Sequence, residues 1–199
     1  MVHTGGMQRE RGVTAIELSV VVTILAILAA LAGPSFVGMI RSNQVSNAVN
    51  TFMADMRFAR SEAIRRGSPV VMCRSDAPEA ASPTCGSGSG PGGNGWVSGW
   101  LIFEDRDTSN TYNTGDQLLR VQGAIRSVDS FLESGGSSST KFPFTPTGRL
   151  RNISGATQLQ VGSNASFTNA QQRTLCVSPS GRVRVVGDGN TSCSTATDR

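Results

Sequence analysis

From Val13 to Gly33 the chain runs VTAIELSVVVTILAILAALAG, twenty-one residues broken only by Thr14, Glu17, Ser19 and Thr23. As a helix this run is about 30 Å long, the thickness of a bilayer's hydrocarbon core. A secretory signal would place its apolar stretch before a small-residue cleavage site. Here the conspicuous Arg11-Gly12 junction comes before the apolar stretch instead. Glu17 is the anomaly in the run. A carboxylate within a membrane helix costs about 2.5–3.5 kcal/mol at the centre, so such residues are kept for a partner. Snorkelling towards the helix end is the alternative reading.

The four cysteines fall into two local pairs, Cys73 with Cys85 and Cys176 with Cys193. Each pair encloses a loop containing Gly, Ser or Pro, which suits disulfide staples on an exported protein. Four cysteines admit three pairings, and spacing alone does not choose among them. Zinc fits poorly, because no CxxC spacing exists and the single histidine is His3. No metal and no cofactor is expected.

Gly12, the apolar run, and Glu17 at the fifth position after Gly12 resemble the class III signal of type IV pilins and pseudopilins. The resemblance implies cleavage after Gly12 by a prepilin peptidase and methylation of the new N-terminal Val13. It implies that Glu17 meets the terminal amine of a neighbouring subunit, and that Pro34 kinks the helix. Val13 departs from the Phe or Met usual at that position but stays apolar. Met7 is a second candidate start, giving the leader MQRERG. The expected organisation is a leader over 1–12, a transmembrane helix over 13–36, an amphipathic continuation over 37–67 and a β-rich periplasmic domain over 68–199. The expected location is a single pass in the bacterial inner membrane before assembly into an extracellular pilus.

Phe52, Met56, Ala59 and Ala63 repeat at the spacing of a buried helical stripe. Arg57, Arg60, Arg65 and Arg66 lie mostly off it and read as a solvated face, with Glu62 nearby. Gly67 and Pro69 are stop signals. Strand-like stretches follow at Val70–Cys73, Trp96–Phe103, Gln117–Ile125, Thr157–Val161, Thr174–Val177 and Val183–Val186, separated by turn-forming clusters. A long helix followed by an antiparallel sheet domain is an α+β architecture, the plan of pilins. AVNTFMADMRFARSEAIRRGSPVVMC (48–73), GWLIFEDRD and the terminal SGRVRV resemble the FimT/GspH-type minor pilins and pseudopilins. The match is weak over Ser127–Ser166.

No nucleophile–base set is visible, so catalysis is not expected. Gly88–Gly93 formally fits GxGxxG but lacks the flanking strand and helix of a phosphate cradle, and reads as a mobile loop. Asp105, Asp107, Ser109 and Asp116 fall at positions 1, 3, 5 and 12 of a calcium loop. Position six is Asn110 rather than Gly, the twelfth residue is Asp rather than Glu, and no helices flank it, so a polar hairpin loop is expected.

The basic residues remain. From Gln117 to the end there are nine Lys or Arg and four Asp or Glu, an excess that favours anionic partners. Arg149 and Arg151 in TGRLR repeat the arrangement of Arg182 and Arg184 in SGRVR. In a strand, Arg182 and Arg184 would project together while Val183 and Val185 face a core. Arginine's planar donors grip two phosphate oxygens at once. In FimT-like minor pilins of DNA-uptake systems a C-terminal GRxR stretch is associated with DNA binding, and Gly181-Arg182-Val183-Arg184 matches it. The resemblance therefore implies double-stranded DNA, other major and minor pilins, and prepilin peptidase as partners. Arg182 and Arg184 are the first DNA contacts, with Lys141, Arg149, Arg151 and Arg173 as further candidates. A purely structural minor pilin and a GspH-like pseudopilin of a type II secretion system are the alternatives.

Overall fold

The structure is a computed structural model that describes residues 12–134, 140–151, 153, 156–163 and 165–193, apart from the side chains of 31–35 and 134. Helix α1 spans Ala15–Arg66. The chain divides into two compact units, Met1–Ile40 and Arg41–Arg199. In the first, the apolar side chains of Ile16, Leu18, Val21, Ile24, Leu25 and Leu28 are all exposed. Among the described residues no helix is long and apolar enough to cross a membrane. The run Val13–Gly33 is described at its side chains only as far as Ala30, and Pro34 lies outside the described side chains.

In the second unit the helix is amphipathic and its apolar face is fully used. Val45, Ala48, Val49, Phe52, Met56, Ala59 and Ala63 are buried, which extends the expected stripe by two turns towards the N-terminus. The helix stops before Gly67, whose N–H still reaches the Ala63 carbonyl at 3.1 Å.

Eight strands follow: β1 (Val70–Arg74), β2 (Trp100–Glu104), β3 (Gln117–Gln122), β4 (Phe131–Ser134), β5 (Lys141–Phe144), β6 (Thr157–Val161), β7 (Arg173–Val177) and β8 (Val183–Gly187). They form two four-stranded sheets, ordered β3-β2-β1-β5 and β4-β6-β7-β8, and every strand pair is antiparallel. Strand β1 is buried at all five positions because both of its faces are covered. Val70 and Met72 join the helix-facing core, while Val71 and Cys73 join Leu101 and Phe103 in a second cluster capped by Cys85, Tyr112 and Leu118. Strand β6 instead alternates, with Thr157, Leu159 and Val161 buried.

Two strands were not among the sequence expectations. Strand β5, KFPF, contains Pro143, which argues against a strand from sequence alone; β5 lies at the edge of its sheet, where a missing N–H is tolerated. Strand β4 sits in the stretch least like the family. The expected Trp96–Phe103 strand is split, since Trp96–Ser98 forms a 3-10 turn before β2.

Two devices lock helix to sheets. The ring of Phe52 lies 5.5 Å from Trp100, 5.3 Å from Trp96, 6.1 Å from Phe142 and 4.8 Å from Phe131. One turn on, the buried Asp55 carboxylate accepts from the Trp100 indole N–H at 2.8 Å and from Arg120 at 2.5 Å. Arg120 also lies 4.0 Å over the Phe58 ring. Of the three possible pairings the structure has the two local ones, Cys73 bonded to Cys85 and Cys176 to Cys193.

The Gly-rich stretch 86–95 is not an open loop. It wraps the guanidinium of Arg74, which is buried and donates to the carbonyls of Ser87 and Gly88 and to Asp76. A side chain at Gly86 or Gly90 would collide with that guanidinium at 2.7 Å, so the glycines serve close approach to an internal cation.

Truncating Phe52→Ala should lower unfolding stability by about 3–5 kcal/mol, because it empties a site bounded by both sheets. Urea unfolding followed by tryptophan fluorescence reads this directly, since Trp96 and Trp100 border the cavity.

Candidate nucleic-acid interface

The two Gly-Arg stretches are copies of one longer motif, Thr145-Pro-Thr-Gly-Arg-Leu-Arg151 and Ser178-Pro-Ser-Gly-Arg-Val-Arg184. Both fold into the same turn. The Gly148 N–H donates to the Thr145 carbonyl at 2.8 Å, and Gly181 donates to Ser178 at 2.9 Å. The Thr145 N–H returns to the Arg149 carbonyl at 2.8 Å, and Ser178 to Arg182 at 2.9 Å. The hydroxyls pair alike, Thr145 with Thr147 at 3.0 Å and Ser178 with Ser180 at 2.8 Å. Gly148 and Gly181 have φ of 74° and 76°, which only glycine adopts without strain.

One turn leaves β5 at the edge of the first sheet, and the other joins β7 to β8 in the second. They pack on each other. The Leu150 N–H donates to the Pro179 carbonyl at 3.0 Å. A Cβ at Gly181 would stand 2.5 Å from the Gly148 carbonyl oxygen and 3.0 Å from the Phe144 ring. On the other side of Gly148 a Cβ would meet Arg60 Nε at 3.0 Å and Ile64 at 2.7 Å. The turn pair thereby gathers Arg149 and Arg182, both exposed and at equivalent turn positions, beside Arg60 of the helix. Among the described residues no ion pair joins any of these three guanidiniums to a carboxylate.

Arg184 is exposed in β8, opposite Cys176 and thus on the face that carries the Cys176–Cys193 disulfide. Arg182 stands in the turn, one residue before the strand begins. Val183 packs against the core as expected, but Val185 does not; it is 43% exposed. Strand β8 is the outermost of its sheet, and a register shift between Thr174 and Leu175 loosens its far half.

The remaining basic candidates go elsewhere. Arg151 donates to Asn110 Oδ1 at 2.8 Å and lies 3.7 Å from Asp105. Lys141, at the end of β5 away from the turn, donates to Thr111 Oγ1 at 2.7 Å. Arg173, at the end of β7 away from the turn, caps the carbonyls of Ala170 and Gln172 at 2.7 Å. Arg65 and Arg66 are likewise occupied. Both bond Glu62, and Arg66 reaches Glu104 at 2.9 Å. Hydrogen bonds from Arg65, then Arg66, hold the Glu62 carboxyl down at about 2. Sequence reasoning missed Arg60 as a member of the cluster, because only the packing of Gly148 brings the helix to the turn.

The sequence profile of the GspH family, described as "Type II transport protein GspH", matches residues 48–181. The Pseudomonas aeruginosa type IV minor pilin FimU, in a P21 crystal structure, is similar with a TM-score of 0.51 and 18% identity, over 72% of this chain and 89% of that one. A P65 crystal structure of the same minor pilin gives 0.49 at 16% identity, over 71% and 91%. The likeness is one of fold. No curated protein sequence matches the chain.

Two outcomes check this geometry. Gly181→Ala should destabilise by on the order of 1–3 kcal/mol, since it combines a forbidden φ with contact against the Gly148 backbone; thermal unfolding measures it. In an NMR pH titration Glu62 should show its midpoint near 2, and Arg65→Ala should move it back towards the ordinary 4.5. Because the folded value is the lower one, this interaction contributes stability fully above about pH 4.5 and loses it as pH falls towards 2.

Proposed function

The chain belongs to the GspH family, and from that premise we propose that it is a minor pilin of a type IV pilus whose globular unit binds double-stranded DNA for uptake in natural transformation. The observation that carries this reading is the packing of the two Gly-Arg turns. The turns touch through Gly148 and Gly181, Arg60 lies against Gly148, and Arg149 and Arg182, the residues that follow those glycines, are exposed and outside any ion pair among the described residues. Arg184 extends the same stretch along β8.

The chemistry favours the phosphate backbone. Fork-shaped guanidiniums on a rigid turn grip phosphate oxygens without reading bases, so binding is sequence-independent. Among the described residues of Arg41–Arg199, the exposed large apolar side chains are Ile64, Val121 and Val185. None is aromatic, so among the described residues of this unit no fully exposed ring offers a platform for stacking unpaired bases, which favours duplex over single strand.

Family membership implies association with other pilins, and the exposed apolar side chains of α1 up to Ile40 supply a surface for it. Under this reading the N-terminal segment anchors the chain in the inner membrane. Gly12, which is exposed, is the cleavage point for prepilin peptidase under the same reading. Val13 becomes the methylated N-terminus, and Glu17 pairs with a neighbouring subunit's amine.

The test is fluorescence anisotropy of labelled duplexes with the full-length chain in detergent, across a salt series. Wild type should bind unrelated duplex sequences alike. Arg149→Ala/Arg182→Ala/Arg184→Ala should weaken all of them, and the log–log salt slope should flatten by roughly 0.9 for each lost phosphate contact. Arg173→Ala, whose guanidinium is spent on local carbonyls, should behave as wild type. Absence of binding by wild type at low salt, or equal binding by the triple variant, would sink the assignment and leave the filament or secretion role.

A further inference from the structure

The loop between β2 and β3 carries a second feature that DNA binding does not use. Asp105 is fully buried, yet its Oδ1 has no hydrogen-bond partner among the described residues. Carboxylate oxygens of Asp105, Asp107 and Asp116 converge to within 4.8 Å of one another. Among the described residues the cation paired with Asp105 is Arg151, which stands 3.7 Å from the other oxygen, Oδ2, and directs its hydrogen bond to Asn110 instead. One guanidinium does not balance three carboxylates.

We propose that residues 105–116 bind a calcium ion. Hard divalent cations take oxygen donors, and a twelve-residue calcium loop draws them from positions 1, 3, 5, 7, 9 and 12, position 7 through its backbone carbonyl. Here those positions are Asp105, Asp107, Ser109, Thr111, Asn113 and Asp116.

One sequence objection is position six, where a glycine is expected for its left-handed backbone; another is Asp116 at position twelve, which offers a shorter carboxylate than the usual Glu. Asn110 occupies position six and adopts φ of 58°, so the conformation is present without the glycine. Its N–H donates to Asp105 Oδ2 at 3.1 Å, which leaves Oδ1 for the ion. The loop is closed around the same centre. Asn113 donates to Asp107 Oδ2 at 2.9 Å and to the Thr111 carbonyl at 3.3 Å, and its own N–H donates to Asp116 at 3.0 Å. Tyr112, at position eight, turns inward onto Phe103 with ring centroids 5.4 Å apart and joins the cluster around Cys73 and Cys85. Flanking helices are absent, and β2, β3 and this aromatic anchor hold the loop ends instead.

Isothermal titration calorimetry of the full-length chain in detergent with calcium chloride tests the site, alongside terbium emission sensitised through Tyr112, the chain's single tyrosine. Wild type should bind calcium with Kd of about 10⁻⁴–10⁻³ M, the range of extracellular modules, and should melt higher with calcium present. Asp107→Asn keeps an acceptor for the Ser109 N–H while removing a charge, so the fold should survive and affinity should fall about tenfold or more. Asp116→Asn should do the same and serves if the first variant misfolds. No heat up to about 10 mM calcium, or unchanged affinity in whichever variant folds, would overturn the site.

Discussion

The ring of Phe52 is the point at which one helix meets both sheets. It touches Trp100 and Phe142 from the first sheet and Phe131 from the second, with Trp96 between them. Neither sheet contributes a strand to the other, so their relation is set by what each packs against the helix. The stripe from Val45 to Ala63 supplies the apolar area, and Asp55 adds direction. A buried carboxylate that satisfies an indole N–H and an arginine fixes the helix's rotation as well as its depth. Loss of one partner would leave a buried polar group unpaired, which is costlier than losing an apolar contact of the same size.

That arrangement has a consequence at the far edge of the domain. The two Gly-Arg turns belong to different sheets, yet they touch through Gly148 and Gly181. Their contact exists because both sheets are held to the same helix, whose Arg60 and Ile64 lie against Gly148. The arginines then sort by what surrounds them. Arg65, Arg66, Arg74, Arg120, Arg151 and Arg173 are consumed internally by carboxylates or carbonyls. Arg60, Arg149 and Arg182 enter no ion pair among the described residues, so part of a modest net charge of +4 is left available at the turn pair.

Much of the fold could be read in the sequence, because helix and strand periodicities report burial directly. Phe52, Met56, Ala59 and Ala63 announced the helix face; Thr157–Val161 announced a strand to the residue. Strand β5 was hidden by Pro143, whose tolerance depends on an edge position that only pairing reveals. The site was half legible. TGRLR and SGRVR repeat visibly, but their meeting across two sheets is a tertiary fact, as is the recruitment of Arg60. Lys141, Arg151 and Arg173 carried the right charge yet found partners inside the fold, which composition does not foresee. At residues 105–116 Asn110 takes up the left-handed backbone that glycine usually supplies at position six, a conformation its residue type does not announce.

The turn pair and the acidic loop are linked through the short stretch 149–151. Arg149 is exposed within the turn while Arg151, two residues on, contacts Asn110 and Asp105. The central claim concerns the turns, and it is tested most directly by mapping amide chemical shifts of the isotope-labelled chain while a short duplex is titrated in. The account predicts that the largest perturbations fall on Gly148, Arg149, Gly181 and Arg182 together, with Arg60 following. Perturbations confined to other surfaces, or to one turn without the other, would contradict it.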